Sequence, residues 1–88
     1  MIKIDFTTKS KESTCVYTTN RYGEKCLLDK DGRYHSQGDF PSLIDINETE
    51  IWHVHGFRHR KNGKPAVIYK NGSKEWYSHG VKIRSENP

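Results

Sequence analysis

The chain has 88 residues, of which 32% are hydrophobic and 30% are charged, and its formal net charge is +4. A chain of this length forms one domain and buries only about 60 per cent of the surface that its unfolded form exposes, so a deep substrate cavity is not expected. Two Trp, five Tyr and three Phe supply packing surfaces that a disordered polar chain lacks. We therefore predict a single folded domain over residues 1–88.

Membrane insertion and export are not expected. No apolar run approaches the roughly 20 residues of a membrane span, and residues 1–6 alternate apolar and polar side chains. Only Cys15 and Cys26 are present, without the Cys-x-x-Cys spacing of a zinc site, and this predicts a cytoplasmic protein with reduced thiols. If the chain folds back tightly about Asn20 and Arg21, the two cysteines lie opposite each other, and a cross-strand disulfide is the alternative.

Residues 1–31 are predicted to contain the N-terminal strands. Ile2 to Phe6 and Cys15 to Thr19 have strand patterns, and the polar stretch from Thr7 to Thr14 reads as a loop between them.

Residues 32–55 and 56–79 match each other without a gap at a spacing of 24 residues. The identical pairs are Gly32/Gly56, His35/His59, Pro41/Pro65, Ile44/Ile68, Asn47/Asn71, Trp52/Trp76 and His55/His79. A partial third copy covers residues 80–84, and residues 85–88 form a tail. A degenerate earlier copy is a further interpretation of residues 22–31, with Leu28 in the place of Trp52 and Gly23 in that of Asn47. Such a repeat predicts a stack of similar units.

Each copy alternates β-forming residues with turn residues. Strands are predicted at Leu43 to Ile46, Glu50 to Val54, Phe57 to Arg60, Pro65 to Tyr69, Lys74 to Tyr77 and Val81 to Arg84. Hairpin turns are predicted at Asn47-Glu48, His55-Gly56, Asn71-Gly72 and His79-Gly80. The sequence therefore predicts an all-β fold, an antiparallel meander of about seven or eight strands arranged as stacked β-hairpins.

Two segments of the chain resemble a known repeat. They are WHVHGFRHRKNGKPA from Trp52 and YKNGSKEWYSHGVKIR from Tyr69. They resemble the MORN-like variant repeats, of the form W-Y-x-x-G-x-x-H-R-x-x-G-P-A-x-x-Y-x-x-G, which occur in bacteriophage and large-virus proteins and in some antitoxin-like proteins. The resemblance covers residues 50–84 well and 32–49 loosely. It departs from the pattern at Lys64, which is inserted, and at Ile83, which replaces the expected His.

The resemblance implies a MORN-like twisted sheet used for binding, and it implies no catalytic residues. A small protein of this kind suits a phage accessory gene that acts on the host, where such genes often encode inhibitors of defence or toxin systems. This implication rests on association with the family.

The positive charge is concentrated in the repeats. From His53 to Arg84 eight Lys or Arg residues stand against the single acid Glu75, a balance of +7, whereas residues 1–52 carry −2. Strand alternation places Arg58 and Arg60 on one face, and their equivalents in the next copy on the same face. The predicted binding residues are therefore Arg58, Arg60, Lys61, Lys64, Lys82 and Arg84, with Tyr34 as an exposed ring at the position equivalent to Arg58. Ordinary solvated charges are the alternative interpretation.

The five histidines do not predict a metal site. His55 and His79 are equivalent, as are His35 and His59, and a residue that recurs in successive copies usually packs or bonds a turn. Trp52 and Trp76 are interpreted in the same way, as the spine of a small core. Because neither paired carboxylates nor an oriented nucleophile can be recognised, we expect a non-enzyme without metal, cofactor or small-molecule substrate.

Three functions follow as hypotheses. The first is a phage-type protein that binds and inhibits a host macromolecule, in a defence or toxin system and with an RNA-associated nuclease as one target class. The second is an RNA- or DNA-binding module without an inhibited partner. The third is a structural protein that forms homo-oligomers through its edge strands.

Overall fold

The computed structural model describes residues 16–88, and this part of the chain is all-β. Ile2 to Phe6, Thr7 to Thr14 and Cys15, for which strands and a loop are predicted, lie outside the described residues. Within residues 16–88 there is no helix that would be suited to crossing a membrane. The strands are β1 (Thr18–Thr19), β2 (Lys25–Cys26), β3 (Leu43–Ile44), β4 (Glu50–Ile51), β5 (His53–Val54), β6 (Phe57–Arg58), β7 (Val67–Ile68), β8 (Lys74–Ser78) and β9 (Val81–Glu86).

All strand pairs are antiparallel, which confirms the predicted all-β antiparallel class. Seven strands form one sheet in the order β1-β2-β3-β4-β7-β8-β9, and β5 pairs with β6 in a two-stranded sheet. The strand predicted from Glu50 to Val54 is interrupted at Trp52, which separates β4 from β5. The equivalent residues 74–78 remain continuous in β8.

Two kinds of hairpin turn alternate along the chain. At His55-Gly56 and His79-Gly80 both residues have positive φ, 46° and 91° in the first and 49° and 94° in the second. Two successive residues at positive φ define the type I′ turn, whose twist matches that of the strands it joins. The other kind is a three-residue loop in which the last loop residue has positive φ, Glu48 at 67° and Gly72 at 94°.

The first hairpin is centred on Tyr22, later than the predicted centre between Asn20 and Arg21. Asn20 N–H donates to the Glu24 carbonyl at 3.0 Å, so the loop runs from residue 20 to 24. The register then places Thr18 opposite Cys26. The tight turn about Asn20 and Arg21, on which the alternative of a cross-strand disulfide depends, is therefore wrong, and Cys15 itself lies outside the described residues.

The geometry of the repeats also continues backwards, with an offset that the sequence comparison missed. Leu27 N–H donates to the Ser42 carbonyl as Trp52 N–H donates to the Ala66 carbonyl, both at 2.8 Å. Leu27 and not Leu28 therefore takes the place of Trp52. The offset arises in the loop that follows, which has one residue more between the paired Leu28 and Tyr34 than between His53 and Arg58.

The same offset reassigns Gly23. Its N–H donates to the Asn20 carbonyl as the Glu48 N–H donates to the Asp45 carbonyl, both at 3.0 Å. Gly23 is therefore equivalent to Glu48, one residue after the predicted Asn47.

The core lies where successive hairpins meet. Cys26 and Leu27, Ile51 and Trp52, and Ala66 and Val67 are its buried apolar residues. Ser42 and Ala66, which are equivalent, are completely buried, and only a small side chain fits at this position. Trp52 is buried, and its Nε1 donates to the Asp39 carbonyl at 3.0 Å. Trp76 makes the equivalent bond to the Gly63 carbonyl but is only half-buried.

The offset predicts that alanine substitutions at two adjacent leucines lower the stability of the protein by different amounts. Leu27 is 2% exposed and Leu28 is 46% exposed. We expect Leu27→Ala to lower the free energy of unfolding by about 2 to 5 kcal/mol, because it leaves a cavity in the core. Leu28→Ala, the matched control, should change it by about 0.5 kcal/mol or less. Urea denaturation of both variants measures the difference, and equal losses would contradict the assignment of Leu27 to the core.

Candidate binding surface

A β-bulge divides the predicted basic patch between two faces. In β8 and β9, Lys82 lies opposite Tyr77 and Arg84 lies opposite Trp76, with a register shift between the two pairs. Because Trp76 and Tyr77 are consecutive in a strand and point to opposite faces, so do Lys82 and Arg84. The prediction that simple alternation places these two residues on one face is wrong, since the bulge at Ile83 adds one residue.

The preceding copy has the same division. Arg58 lies opposite His53, whereas the Arg60 guanidinium lies 3.7 Å from the centre of the Trp52 ring. Trp52 and His53 are consecutive, so Arg58 and Arg60 also belong to different faces.

On the first face, Arg58, Tyr77, Glu75 and Lys82 form a connected group, which we call the Arg58 cluster. Arg58 Nη1 donates to the Tyr77 hydroxyl at 3.0 Å, and the guanidinium lies 5.2 Å from the centre of the Tyr77 ring. The Tyr77 hydroxyl donates to Glu75 Oε1 at 3.2 Å, and Lys82 Nζ lies 3.8 Å from Glu75 Oε2. Two cations share one carboxylate, so the cluster keeps an excess positive charge.

Tyr34 does not form the exposed ring that the sequence predicts. Its ring lies 5.0 Å from that of the buried His53, and the residue is half-buried. Burial raises the pKa of the Tyr34 hydroxyl, with smaller contributions from Cys26 and Glu24. Tyr34 and Arg58 are equivalent residues, and each packs on a ring of the next hairpin, His53 for Tyr34 and Tyr77 for Arg58.

On the second face, Arg60 and Lys64 are held by an acid from the preceding copy. Arg60 donates to both carboxylate oxygens of Asp39, at 3.0 and 2.9 Å, and to the Pro65 carbonyl at 3.1 Å. Lys64 Nζ donates to Asp39 Oδ2 at 3.0 Å. The bonds from Arg60 and then Lys64 hold the pKa of Asp39 well below its usual range. The Arg60 side chain is only 12% exposed, so it fixes the loop before Trp52 and offers little surface to a partner.

Arg84 repeats this arrangement in a looser form. Its guanidinium lies 4.6 Å from the centre of the Trp76 ring, and it pairs with Glu86 of the same strand. More than half of the Arg84 side chain remains exposed. Lys61 is also exposed and makes no ion pair or hydrogen bond with the described part of the chain.

The structure thus sorts the seven predicted binding residues into three groups. Lys61 is exposed without an ion pair in the described residues; Lys64, Lys82 and Arg84 are about half exposed or more, and each makes an ion pair; Tyr34, Arg58 and Arg60 are at least partly buried in packing or bonded contacts. Sequence reasoning missed Asp39 and Tyr77, which decide this sorting. Asp39 could not be found from the repeat, because its equivalent in the next copy is Gly63.

The histidines make structural contacts. His55 N–H donates to His35 Nδ1 at 3.0 Å, and the two rings stack at 4.2 Å. His79 and His59 repeat both contacts, at 3.1 Å and 4.2 Å. In both pairs the Nδ1 atom of the earlier histidine accepts the backbone amide of the later one, so the pair holds the later turn in place. Among residues 16–88 there is no group of three or more His, Cys, Asp or Glu side chains suited to a metal ion.

A shallow pocket of about 170 Å³ lies beside Lys61. Its lining includes Ser36, Asp39, Trp52, His59 and Arg60. Asp39 and Arg60 are bonded to each other. Among the residues that line the pocket, Lys61 is therefore the cation without an ion pair in the described part of the chain.

No family model matches this sequence, and comparisons with curated proteins and with solved structures give no significant match.

His53 predicts a loss of stability in mild acid. The ring is buried, and Nδ1 lies 2.7 Å from Ser42 Oγ. Burial, with a smaller effect of the Arg58 charge, lowers the pKa of His53 from 6.5 to about 4. Between these values the unfolded chain binds a proton that the folded protein does not, so stability falls as the pH falls.

We expect the free energy of unfolding to decrease between about pH 6.5 and 4, with His53 contributing up to about 1.4 kcal/mol per pH unit. His53→Phe should flatten this slope, since Ser42 keeps its bond to the Ile51 carbonyl. The exposed Lys61→Gln variant serves as the control and should retain the slope, because Lys61 makes no ion pair with an ionisable group in the described residues. Urea denaturation at several pH values tests the prediction, and an unchanged slope in His53→Phe would show that another group is responsible.

Proposed function

We propose that this is a non-catalytic, phage-type accessory protein that binds and inhibits a host macromolecule in the host cytoplasm. The contact residues, which we call the basic surface, are Arg58 and Lys82 on the first face, Arg84 on the second face, and Lys61 in the loop after β6. The partner is an acidic protein, and components of host defence or toxin systems, including RNA-associated nucleases, are the target class that the family resemblance suggests.

The observation that carries this proposal is an excess of positive charge that internal pairing does not remove. Between His53 and Arg84 the chain holds eight cations and one acid, and Asp39 from the preceding loop is bonded to Arg60 and Lys64. Lys61 makes no ion pair in the described residues, and half or more of the Lys82 and Arg84 side chains are exposed. Such a field accelerates association with an acidic surface and favours it over other partners.

The proposal includes the finer architecture, a MORN-like twisted sheet built on the 24-residue repeat. It is supported by contacts that recur at that spacing. The bonds from Trp52 Nε1 to Asp39 and from Trp76 Nε1 to Gly63 are one such pair, and the two stacked histidine pairs are another.

Nucleic-acid binding is the alternative. A single strand binds through exposed rings on which bases can stack. The rings of Trp52, Trp76 and Tyr77 are each covered by an arginine side chain, and Tyr34 packs on His53. Phe57, which precedes Arg58, is 59% exposed and is accessible for stacking. Phosphates would still be attracted to the exposed lysines, so the experiment must separate RNA from protein.

The test is recovery of the tagged protein with its partners from bacterial extract at moderate salt, with and without ribonuclease. The variant carries Lys61→Glu and Lys82→Glu. Its matched control carries Lys25→Glu and Lys30→Glu, which changes the net charge equally at two exposed lysines outside the basic surface. Circular dichroism of all three proteins verifies that the fold is retained.

We expect one acidic protein to be retained after ribonuclease, at least tenfold less in the Lys61→Glu/Lys82→Glu variant, and unchanged in the control. Recovery of RNA alone would favour the nucleic-acid module. If the variant and the control recover the same material as the native protein, the basic surface is not a contact surface and the proposal fails.

A further inference from the structure

The outer edge of β9 is the most open surface in the described part of the chain. β9 is the last strand of the sheet, pairs with β8, and has six exposed residues. Val81 and Ile83 remain 64% and 65% exposed although both are apolar. An exposed edge with apolar side chains is a template for strand addition.

Two contacts within the molecule show how the turn of a hairpin packs on a strand of its neighbour. Gly56 N–H donates to the Tyr34 carbonyl at 2.7 Å, and Gly80 N–H donates to the Arg58 carbonyl at 2.8 Å. In each case the type I′ turn of one hairpin rests on the second strand of the preceding hairpin. The equivalent acceptor in the next position is the carbonyl of Lys82, in β9.

The glycine of each turn also lies close to a side chain of the preceding hairpin. A Cβ at Gly56 would lie 3.6 Å from Arg33 Cβ, and a Cβ at Gly80 would lie 3.1 Å from Phe57 Cδ1. The glycine of each turn therefore packs directly on the residue that precedes the accepting carbonyl. In β9 this residue is Val81, and its side chain is exposed.

Two features of β9 indicate the chemistry of the occupant. β9 carries Lys82 and Arg84 against the single acid Glu86, so its net charge is positive and an acidic strand is complementary to it. Ile83 stands where His35 and His59 accept a turn amide, and it offers an apolar contact in place of an acceptor. The occupant therefore differs from a further copy of this repeat.

We propose that the outer edge of β9 docks an acidic β-hairpin of a partner protein, whose glycine turn packs on Val81 and donates to the Lys82 carbonyl. The turn of the added hairpin rests on β9 as the turn between β8 and β9 rests on β6. This inference rests on the proposed function, because it specifies how the acidic partner is held.

A synthetic hairpin provides a defined probe. The peptide copies residues 74–84, is cyclised through its backbone, and carries Lys74→Glu, Lys82→Glu and Arg84→Glu. The same cyclic peptide with the native basic residues is the first control, and a peptide with Gly80→Val, which cannot form the close turn, is the second. Binding of each labelled peptide to the full-length protein is measured by fluorescence anisotropy.

Two protein variants locate the site. Val81→Asp places a charge where the turn glycine packs, and Ile46→Asp makes the same change at another exposed apolar residue, 71% exposed, in the loop between β3 and β4. Both residues are exposed, so both variants should fold, and circular dichroism checks this.

We expect the acidic hairpin to bind the native protein and the Ile46→Asp variant with equal affinity, and Val81→Asp to weaken binding at least tenfold. The basic and Gly80→Val peptides should bind at least tenfold more weakly than the acidic one. Equal affinity for Val81→Asp, or no binding of the acidic hairpin, overturns the inference. A dimer in sedimentation that Val81→Asp abolishes also overturns it, since the occupant would then be a second molecule of this protein.

The two proposals fail in different ways. If Val81→Asp still recovers the acidic host protein while Lys61→Glu/Lys82→Glu loses it, the proposed function stands and the β9 site is wrong. If neither variant changes recovery, the proposed function itself is wrong and the β9 inference fails with it.

Discussion

The close approach of a turn glycine to the preceding hairpin sets the spacing of the whole molecule. Gly56 and Gly80 each donate to a carbonyl of the hairpin before them, at 2.7 and 2.8 Å. A side chain at Gly80 would meet Phe57 at 3.1 Å, and both glycines have φ above 90°. Only glycine satisfies the conformation and the contact at once. The histidine that precedes each glycine then directs its amide to the ring of an earlier histidine, so each turn is held by two bonds.

This stacking also decides which cations are used inside the molecule. Because consecutive hairpins are in contact, Arg60 reaches back to Asp39 and covers Trp52, and Arg58 reaches forward to Tyr77. An arginine that stacks on a ring and donates to both oxygens of a carboxylate stabilises the contact between two hairpins. Such contacts add to the small hydrophobic core of a short chain. The charge left for a partner is carried by residues at the end of the stack and in its loops, and there the two proposals place the contacts.

Protonation acts on the same contacts. Burial, with a smaller effect of the Arg58 charge, lowers the pKa of His53 to about 4. Burial, with the nearby charge of His79, also lowers the pKa of His59. The pKa values of Asp29 and Asp39 are likewise held below the usual range, that of Asp29 chiefly by its bond from His55. A lowered pKa of a histidine and a lowered pKa of a carboxyl both make the folded protein less stable as the pH falls.

Much of the local structure could be predicted from the sequence, because hairpin turns depend on a few adjacent residues. The antiparallel class and the turns at His55-Gly56, Asn71-Gly72 and His79-Gly80 follow from glycine and from β-forming residues on either side. The face of each cation could not be predicted, since alternation holds only for a regular strand and the bulge at Ile83 adds a residue. Nor could the pairing of Arg60 with Asp39, because it depends on how closely two hairpins stack.

The sequence by itself determined the all-β class, the positions of several turns and the concentration of positive charge after His53. The tertiary structure alone decided that Leu27 enters the core in place of Leu28, that Arg60 and Lys64 are paired internally, and that Lys61, Lys82 and Arg84 remain accessible. The physical reason is the separation along the chain of the residues that interact. Turn geometry and net charge arise from neighbouring residues, whereas burial and ion pairing depend on residues that lie far apart in the chain and meet only when the hairpins stack.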